Sequence, residues 1–246
     1  YYEGDPYKQN NYRGTSGFDN AYWALDNNKF TERSQRFFGN VYAKYTTKFG
    51  TDDKKLDVKY QLGTDAYTTN YTDLWGYGHA NGQGSIDHYG YTVNETNSLL
   101  TANFDWNITQ DLNLNALVGN EFVHATKKFY ESYGANFNYG GWNHIKNASI
   151  FQATETYRKS RTVGTFANLS LTYKNMLYFS ATGRNDIVST MPRNNRSFFY
   201  PSVSLGFIFT ELESLKNNVV TWGKLRASYA EVGQAGTYYD SYYTTP

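Results

Sequence analysis

Two polar stretches of the chain carry the aromatic residues that are best suited to contact a ligand. Residues 71–96 and 124–156 combine several glycines with aromatic side chains that we expect to be exposed, namely Trp75, Tyr77, Tyr89, Tyr91, Tyr133, Tyr139 and Trp142. Aromatic faces stack on sugar rings, and neighbouring Asn and Asp side chains bond to hydroxyl groups. The predicted substrate contacts are Trp75, Tyr77, Tyr89, Tyr139 and Trp142. Packing of one loop against another, or against a partner protein, is the alternative role for the same residues.

Charged side chains near the end of one predicted strand form a second candidate group. Arg184 and Asp186 are two positions apart, so they point to the same face, and Arg193 and Arg196 follow them. A guanidinium can select an anionic substrate through bidentate hydrogen bonds, so Arg184 and Asp186 are also predicted substrate contacts. The alternative is a structural charge network, because charged side chains removed from water are usually paired.

Neither catalysis nor metal binding is indicated by the remaining polar residues. The four histidines lie in or beside the polar stretches, without the spacing of metal ligands, at His79, His88, His124 and His144. Candidate carboxylates fall on separate predicted strands without a convergent catalytic pattern, at Asp65, Asp105, Glu121 and Glu231. With 0 Cys, the chain has no thiolate nucleophile and no disulfide. We expect no cofactor, no metal ion and no enzymatic activity.

Aromatic residues dominate the composition of this 246-residue chain. The 25 Tyr, 16 Phe and 5 Trp make up 19% of the residues, whereas disordered chains are poor in aromatics. No apolar run approaches the roughly 18 residues of a membrane-spanning helix. Aromatic residues favour strands, and 4 Pro leave few interruptions, so the composition predicts an all-β fold. The formal net charge of +1 gives no reason to expect nucleic-acid binding.

Alternation of apolar and polar residues is the main structural signal, and it recurs about eight times along the chain. The predicted strand pairs occupy residues 36–70, 97–123, 157–190 and 197–233. Several runs exceed about ten residues, which is long for a soluble sandwich but matches the roughly 9–11 residues of a strand that crosses a bilayer. The pattern predicts an antiparallel transmembrane β-barrel.

Two predicted hairpins can be paired so that each face of the sheet keeps its polarity. The pairs are Trp106 with Leu114 and Asp105 with Asn115 in the first hairpin, and Leu169 with Ala181 and Ser170 with Ser180 in the second. Opposed residues of an antiparallel ladder must point to the same face, so this agreement supports both pairings.

Short and long connections alternate between the predicted strands. Tight turns are expected near residues 50–54, 109–111 and 174–176. Residues 1–35, 71–96 and 124–156 are expected to be long extracellular segments, because outer-membrane barrels have short periplasmic turns and long outer loops. Both termini would then lie outside the cell, which predicts about eight strands from a larger barrel. A closed eight-stranded barrel would contradict this expectation.

Three stretches resemble SusC-like TonB-dependent transporters. Residues 19–28, DNAYWALDNN, are similar to the family's NPYW loop. Residues 178–211, which include SATGRND and FYPSVSLGF, resemble its SATGRxD and FYPSVSxGW strands. Residues 222–236, WGKLRASYAEVGQAG, resemble its LKLRxSYGxxGN strand. The departures from the family pattern are Ala21 for Pro, Phe207 for Trp and Gln234 for Asn.

The resemblance implies energy-coupled import of oligosaccharides or other large nutrients, and of peptides in RagA-like members, across the outer membrane of Gram-negative Bacteroidetes. It also implies a barrel of about 22 strands, a SusD-like surface lipoprotein, and contact with TonB-ExbB-ExbD through a plug domain. Residues 1–246 would be a partial β-barrel domain that forms barrel wall and extracellular vestibule, in contact with outer-membrane lipid.

Two other classes of protein are compatible with the sequence. One is a free-standing small outer-membrane barrel with an adhesion or structural role. The other is a soluble carbohydrate-binding β-sandwich, in which apolar side chains such as Phe104, Trp106 and Leu169 would be buried against a second sheet. The choice between glycan and peptide as substrate also stays open.

Overall fold

The fold is seen in a computed structural model, which describes residues 4–10, 17–50, 53–80, 82–212, 214–215 and 219–233. Gln234 of the third motif and residues 51–52 of the first expected turn lie outside these residues. The chain divides into two compact units. Unit 1 consists of Tyr1–Phe38, Asp65–Asn94 and Thr126–Lys159, and unit 2 of Gly39–Thr64, Glu95–Ala125 and Ser160–Pro246.

Within the described residues, eight strands form a single sheet. They are β1 (Lys29–Phe49), β2 (Lys54–Trp75), β3 (Ser85–Asn107), β4 (Leu112–Phe137), β5 (Ala148–Tyr173), β6 (Leu177–Val188), β7 (Ser197–Ile208) and β8 (Lys224–Ala230). Helix α1 (Ala21–Asn27) precedes β1, and three 3-10 helices lie at Ile145–Asn147, Arg193–Asn195 and Phe209–Glu211. None of these four short helices has the length and apolar composition of a membrane span.

Each strand pairs with its neighbours in sequence, in the order β1 to β8. The pairings from β5 to β8 are antiparallel, residue by residue. The all-β antiparallel prediction is therefore confirmed. Because β1 and β8 lie at opposite ends of the strand order, the described strands form an open sheet and not a closed eight-stranded barrel.

The strands are longer than the sequence pattern indicated. Residues 71–96 and 124–156 were expected to be loops, yet β2 continues to Trp75, β3 begins at Ser85, β4 ends at Phe137 and β5 begins at Ala148. Residues 1–35 likewise contain α1 and the start of β1. The reason is chemical, because Tyr and Thr on both faces suit a strand but remove the apolar-polar contrast by which strands are recognised. Which side of the membrane these segments occupy stays a prediction.

The register predicted for the second hairpin is confirmed. Leu169 pairs with Ala181 and Ser170 with Ser180 in the β5–β6 ladder. The turn contains Lys174 and Asn175 at φ 49 and 53. Tyr173 pairs with Leu177, so three residues connect the strands. Two consecutive residues in the left-handed region give this connection a twist that matches that of the flanking strands.

Side-chain contacts between β3 and β4 agree with the register predicted for the first hairpin. Asn115 donates to Asp105 with Nδ2 to Oδ2 at 3.3 Å, and Asn113 donates to the same carboxylate at 3.2 Å. The Asp105 carboxylate thus lies among the amides of the facing strand, as the pairing of Asp105 with Asn115 requires.

Apolar side chains of the unit 2 strands lie on the surface. Leu169, Leu205 and Leu225 are 40%, 47% and 64% exposed. Among the described residues, the buried hydrophobic side chains all lie in unit 1, at Trp23, Leu74, Ile86, Phe137 and Ala148. The β-sandwich alternative is therefore wrong, because it requires a second sheet to cover these leucines. An exposed apolar face suits contact with hydrocarbon.

The small core of unit 1 forms where strands meet connections. Leu74, Ile86, Phe137 and Ala148 pack together, with Tyr77 and Ile145 against them. Gly84 has φ +96, and a Cβ at that position would overlap the Phe137 ring. Phe137 is fully buried, so it is the centre of this core.

Replacement of the central ring is expected to loosen only this part of the protein. Phe137→Ala should cost the packing of unit 1 about 3–5 kcal/mol, because a large buried side chain leaves a cavity. Limited proteolysis of the full-length protein should then show faster cleavage within residues 76–84 and 138–147. Phe199→Ala is the control, because the Phe199 side chain is 63% exposed. Equal cleavage rates in the two variants would contradict the assignment.

Candidate functional site

Helix α1 carries the tryptophan of the first family motif, and this residue is an anchor. The Asn20 side chain caps α1 by accepting from Tyr22 N at 3.0 Å and from Trp23 N at 3.4 Å. The Trp23 ring is fully buried, and its Nε1 donates to the Pro6 carbonyl at 3.0 Å. The motif therefore serves to hold the segment that precedes β1.

A polar network joins this segment to the connection between β2 and β3. Gln9 Nε2 donates to Asp19 Oδ1 at 2.7 Å and to the Gly78 carbonyl at 3.0 Å. Asp19 Oδ1 also accepts from Ala80 N at 2.6 Å. These hydrogen bonds join the segment before α1 to the connection between β2 and β3, so the two loops are packed against each other.

Asn147 organises the connection between β4 and β5. Its Nδ2 donates to the carbonyls of Tyr139 and Trp142 at 2.7 and 2.8 Å, and its Oδ1 accepts from Tyr139 N at 3.2 Å. The Asn147 carbonyl accepts from Asn138 N at 2.8 Å. Since Asn147 is fully buried, these bonds replace water and fix the loop backbone.

The same loop presents aromatic faces to solvent. Tyr139 is 63% and Trp142 is 46% exposed. The Trp142 and His144 rings stack with centroids 5.6 Å apart and planes 9° apart. His144 Nδ1 accepts from Lys146 N, which holds the imidazole in place. We call Tyr139, Trp142 and His144 the loop platform, and its exposed rings can stack on a sugar or on a planar peptide group.

The other predicted aromatic contacts have ring partners of their own. Trp75 ends β2 half-exposed, with its ring edge-on to Phe30 at 5.2 Å. Tyr77 packs against the unit 1 core and lies edge-on to Tyr7 at 5.7 Å, which favours the structural alternative for this residue. Tyr89 belongs to a cluster on β2 and β3.

That cluster consists of four tyrosines, Tyr67 and Tyr71 on β2 and Tyr89 and Tyr91 on β3, which we call the tyrosine ladder. Tyr71 and Tyr89 stack with centroids 4.9 Å apart and planes 11° apart. Tyr91 lies 6.3 Å from Tyr71 and 6.2 Å from Tyr67. A hydrogen bond with Tyr91 raises the pKa of Tyr71 to about 12, so the Tyr71 hydroxyl is neutral at physiological pH.

Three carboxyl groups lie at one end of the tyrosine ladder, and we call Asp73, Asp87 and Glu131 the acidic cluster. Tyr89 donates its hydroxyl to Asp73 Oδ2 at 3.2 Å. Partial burial and the charges of Glu131 and Asp73 raise the pKa of Asp87 to about 6. Asp87 Oδ1 is enclosed and accepts no hydrogen bond from the described residues. Among the described residues, no Lys or Arg forms an ion pair with any of these three carboxyl groups.

Arg184 and Asp186 are brought together with a third charge from β4. Arg184 Nε donates to Asp186 Oδ1 at 2.8 Å, and Arg184 Nη2 donates to Glu121 Oε2 at 2.7 Å. The guanidinium also lies over the Phe166 ring, 5.7 Å from its centroid. A Cβ at Gly164 would overlap both Arg184 and Asp186. The groups bind each other closely, which favours the structural charge network over an anion site.

The histidines have individual environments and no shared ligand geometry. His88 shares a hydrogen bond with Thr72 at 3.0 Å, and His144 belongs to the loop platform. Partial burial lowers the pKa of His79. Over the residues that the structure describes, no three His, Asp or Glu side chains are placed to hold a metal ion.

Sequence reasoning missed the tyrosine ladder, the acidic cluster and Asn147. A signal for the first existed, because Tyr67, Tyr71 and Asp73 share one strand parity, as do Tyr89 and Tyr91. Assignment of residues 71–96 to a loop hid that parity. No local signal marks Asn147, since its partners are backbone atoms of a folded loop.

The raised pKa of Asp87 gives a pH prediction. A carboxyl whose pKa rises from 3.8 to about 6 on folding stabilises the fold while protonated, and this contribution is lost as the pH rises through about 6. Amide exchange in β3 near Asp87, corrected for its intrinsic pH dependence, should therefore be faster at about pH 8 than at about pH 5. Asp87→Asn should remove this difference, whereas Glu155→Gln should keep it. A pH response that persists in Asp87→Asn would refute the assignment.

The space at Gly164 gives a second prediction. Gly164→Ala should displace the Arg184 guanidinium and destabilise the protein by about 1–3 kcal/mol, as overpacking usually does. Loss of the β-sheet circular dichroism signal on heating in detergent measures this effect. Gly39→Ala is the matched control, because a Cβ there has no neighbour within 4 Å. Equal melting temperatures for the two variants would show that the Gly164 space is not required.

Comparison with known proteins identifies a family. The model of the family described as TonB dependent receptor-like, beta-barrel, matches residues 1–246. A curated relative, TonB-dependent receptor P26 of Formosa agariphila, is 28% identical over 139 residues, which are 54% of this chain and 14% of that protein. The chain thus spans a small part of this relative.

Three solved structures share the fold at low sequence identity. The RagAB peptide transporter has a TM-score of 0.78 at 18% identity, over 90% of this chain and 25% of that one. The RagAB peptide importer gives 0.79 at 18% identity in its open-open state, over 90% and 24% of the two chains. Its closed-closed state gives 0.78 at 19% identity, over 90% and 25%. The match to a receptor family agrees with the expectation that the chain has no enzymatic activity. The chain belongs to the TonB-dependent receptor-like beta-barrel family of outer-membrane proteins.

Proposed function

We propose that this chain forms barrel wall and extracellular vestibule in a SusC-like, TonB-dependent importer of large nutrients. The family match supports the barrel and the receptor class. The resemblance of residues 19–28 and 178–211 to SusC-like motifs supports the finer assignment. The protein would be a multi-pass β-barrel of a Gram-negative outer membrane, with the exposed apolar side chains of unit 2 against lipid.

The loop platform is the observation that carries this proposal. Two exposed rings, Tyr139 and Trp142, lie on a loop whose backbone is fixed by the buried Asn147. A fixed loop loses little conformational entropy when it binds, so its rings can contribute affinity. Oligosaccharides and peptides both offer faces that stack on such rings.

Two substrate classes follow from different observations. The loop platform and the polar side chains around it suit an oligosaccharide. The likeness to structures of a peptide importer supports a peptide as the second candidate. A free-standing adhesion barrel is less well supported, because the described strands form an open sheet in which β1 and β8 lie at opposite ends.

The proposed importer requires partners. A SusD-like surface lipoprotein would meet the loops of unit 1 on the extracellular side, and TonB-ExbB-ExbD would act through a plug domain of the full protein. The alternation of tight turns with longer connections supports this orientation. The turn at Lys174 and Asn175 would then face the periplasm.

Removal of the exposed rings should impair uptake. A strain that carries Tyr139→Ala and Trp142→Ala in the full-length gene should take up its substrate with about tenfold lower affinity, since each stacked ring contributes roughly 0.5–1.5 kcal/mol. Growth on single oligosaccharides or peptides as carbon source, with and without TonB, first identifies the substrate. Initial uptake rates over a range of concentrations then give the affinity.

Tyr157→Ala is the matched control, because Tyr157 is an exposed ring, at 59%, outside the loop platform. Its uptake should equal that of the unaltered protein. If growth on every substrate were independent of both the gene and TonB, the import proposal would be abandoned. If uptake were TonB-dependent but insensitive to the double variant, the loop platform would lose its role.

A further inference from the structure

The tyrosine ladder already holds two cations of the chain itself. Lys127 Nζ lies 4.7 Å from the centroid of the Tyr91 ring. Arg36 Cζ lies 5.9 Å from the centroid of Tyr67, and Arg36 Nε donates to Asp65 Oδ1 at 2.8 Å. Tyrosine faces attract ammonium and guanidinium groups through their ring quadrupole. At this end of the ladder, ring and carboxylate together bind a side-chain cation.

The opposite end has the same kinds of group without such a cation. The stacked pair Tyr71 and Tyr89 lies beside Asp73, which accepts the Tyr89 hydroxyl. Across the part of the chain that the structure describes, no Lys or Arg forms an ion pair with Asp73, Asp87 or Glu131. The negative charge of this end therefore has no counter-charge of its own.

The pKa of Asp87 responds to this lack of a positive neighbour. Its carboxyl is raised in pKa by partial burial and by the charges of Glu131 and Asp73. Glu32 on β1 adds a further negative charge near Tyr71 and Tyr89. Four successive strands thus contribute one carboxyl each to this end of the tyrosine ladder. A positive ligand would relieve their mutual repulsion.

An organic cation fits this arrangement better than a metal ion. The carboxyls do not form a metal-ligand group in the described residues. Calcium and magnesium require several oxygen ligands around one point. Stacked aromatic faces edged by carboxylates instead match a protonated amine or a guanidinium, which combines ring contact with charged hydrogen bonds.

We propose that Tyr71, Tyr89, Asp73, Asp87 and Glu131 form a binding site for the protonated amine or guanidinium of an incoming peptide. The inference rests on the proposed import function and narrows its substrate to peptides that carry Lys, Arg or a positively charged amino terminus. Lys127 and Arg36 at the other end of the tyrosine ladder show the contact geometry that such a group would adopt.

The test compares matched probes on the purified full-length protein. Fluorescent peptides of equal length, one rich in lysine and one of neutral Ser and Gly, are titrated at neutral pH, together with an oligomer of glucosamine that carries amines on a glycan. The unaltered protein should bind the lysine peptide most tightly. Asp73→Asn with Asp87→Asn should weaken that binding about tenfold and leave the neutral peptide unchanged.

Two further variants keep the test decisive. Tyr89→Leu should weaken the lysine peptide selectively, because it removes the ring and leaves the carboxylates. Glu155→Gln is the control for loss of one carboxylate, since Glu155 pairs with Lys128 at 2.8 Å away from this site. Circular dichroism verifies that each variant keeps its β-sheet, and Asp87→Asn alone replaces the double variant if that one does not fold.

Three results would overturn the inference. The first is equal affinity for the lysine and the neutral peptide, and the second is an equal loss of affinity for both peptides in the variants. The third is preferential binding of the glucosamine oligomer, which would identify the cationic ligand as a glycan. In each case TonB-dependent uptake in cells can persist, so the import proposal survives. Loss of all TonB-dependent uptake, by contrast, would contradict the import proposal itself.

Discussion

Hydrogen bonding between neighbouring antiparallel strands decides where each side chain of this sheet points. In a bilayer every backbone N–H and C=O must be satisfied within the protein, so the ladder has to be continuous and its register is fixed. The β5–β6 ladder sets Phe166 opposite Arg184 and Leu169 opposite Ala181. The charge network and the exposed apolar side chains are two results of this one register. A slip by one residue would turn Arg184 toward lipid.

The hydrogen-bonded strands also extend further than a bilayer requires. Strands β2, β3 and β4 have 22, 23 and 26 residues, against the roughly 9–11 that cross hydrocarbon. The tyrosine ladder and the acidic cluster lie on these strands and not on loops. Groups on strands keep their separation, so a ligand would meet a preformed arrangement of rings and charges.

Sequence patterns predicted the parts of this structure that depend on neighbours in sequence. Period-two alternation and turn length gave the β5–β6 register, since both are local consequences of the pleat. Strand ends were misplaced where Tyr and Thr occupy both faces, because the contrast between faces disappears there. The raised pKa of Asp87 depends on Glu131 of another strand and on Asp73. Such properties arise from tertiary contacts, which a linear pattern does not contain.

Asn147 has a consequence for how this protein can change over time. Its amide bonds to backbone atoms of Tyr139 and Trp142 and to no atom of their side chains. The conformation of the loop therefore does not depend on which side chains stand at positions 139 and 142, because the buried Asn147 holds the backbone. Substitutions at positions 139 and 142 can alter what the surface recognises without rebuilding the loop. The buried amide thus allows the recognition surface to vary in evolution while the loop backbone is kept.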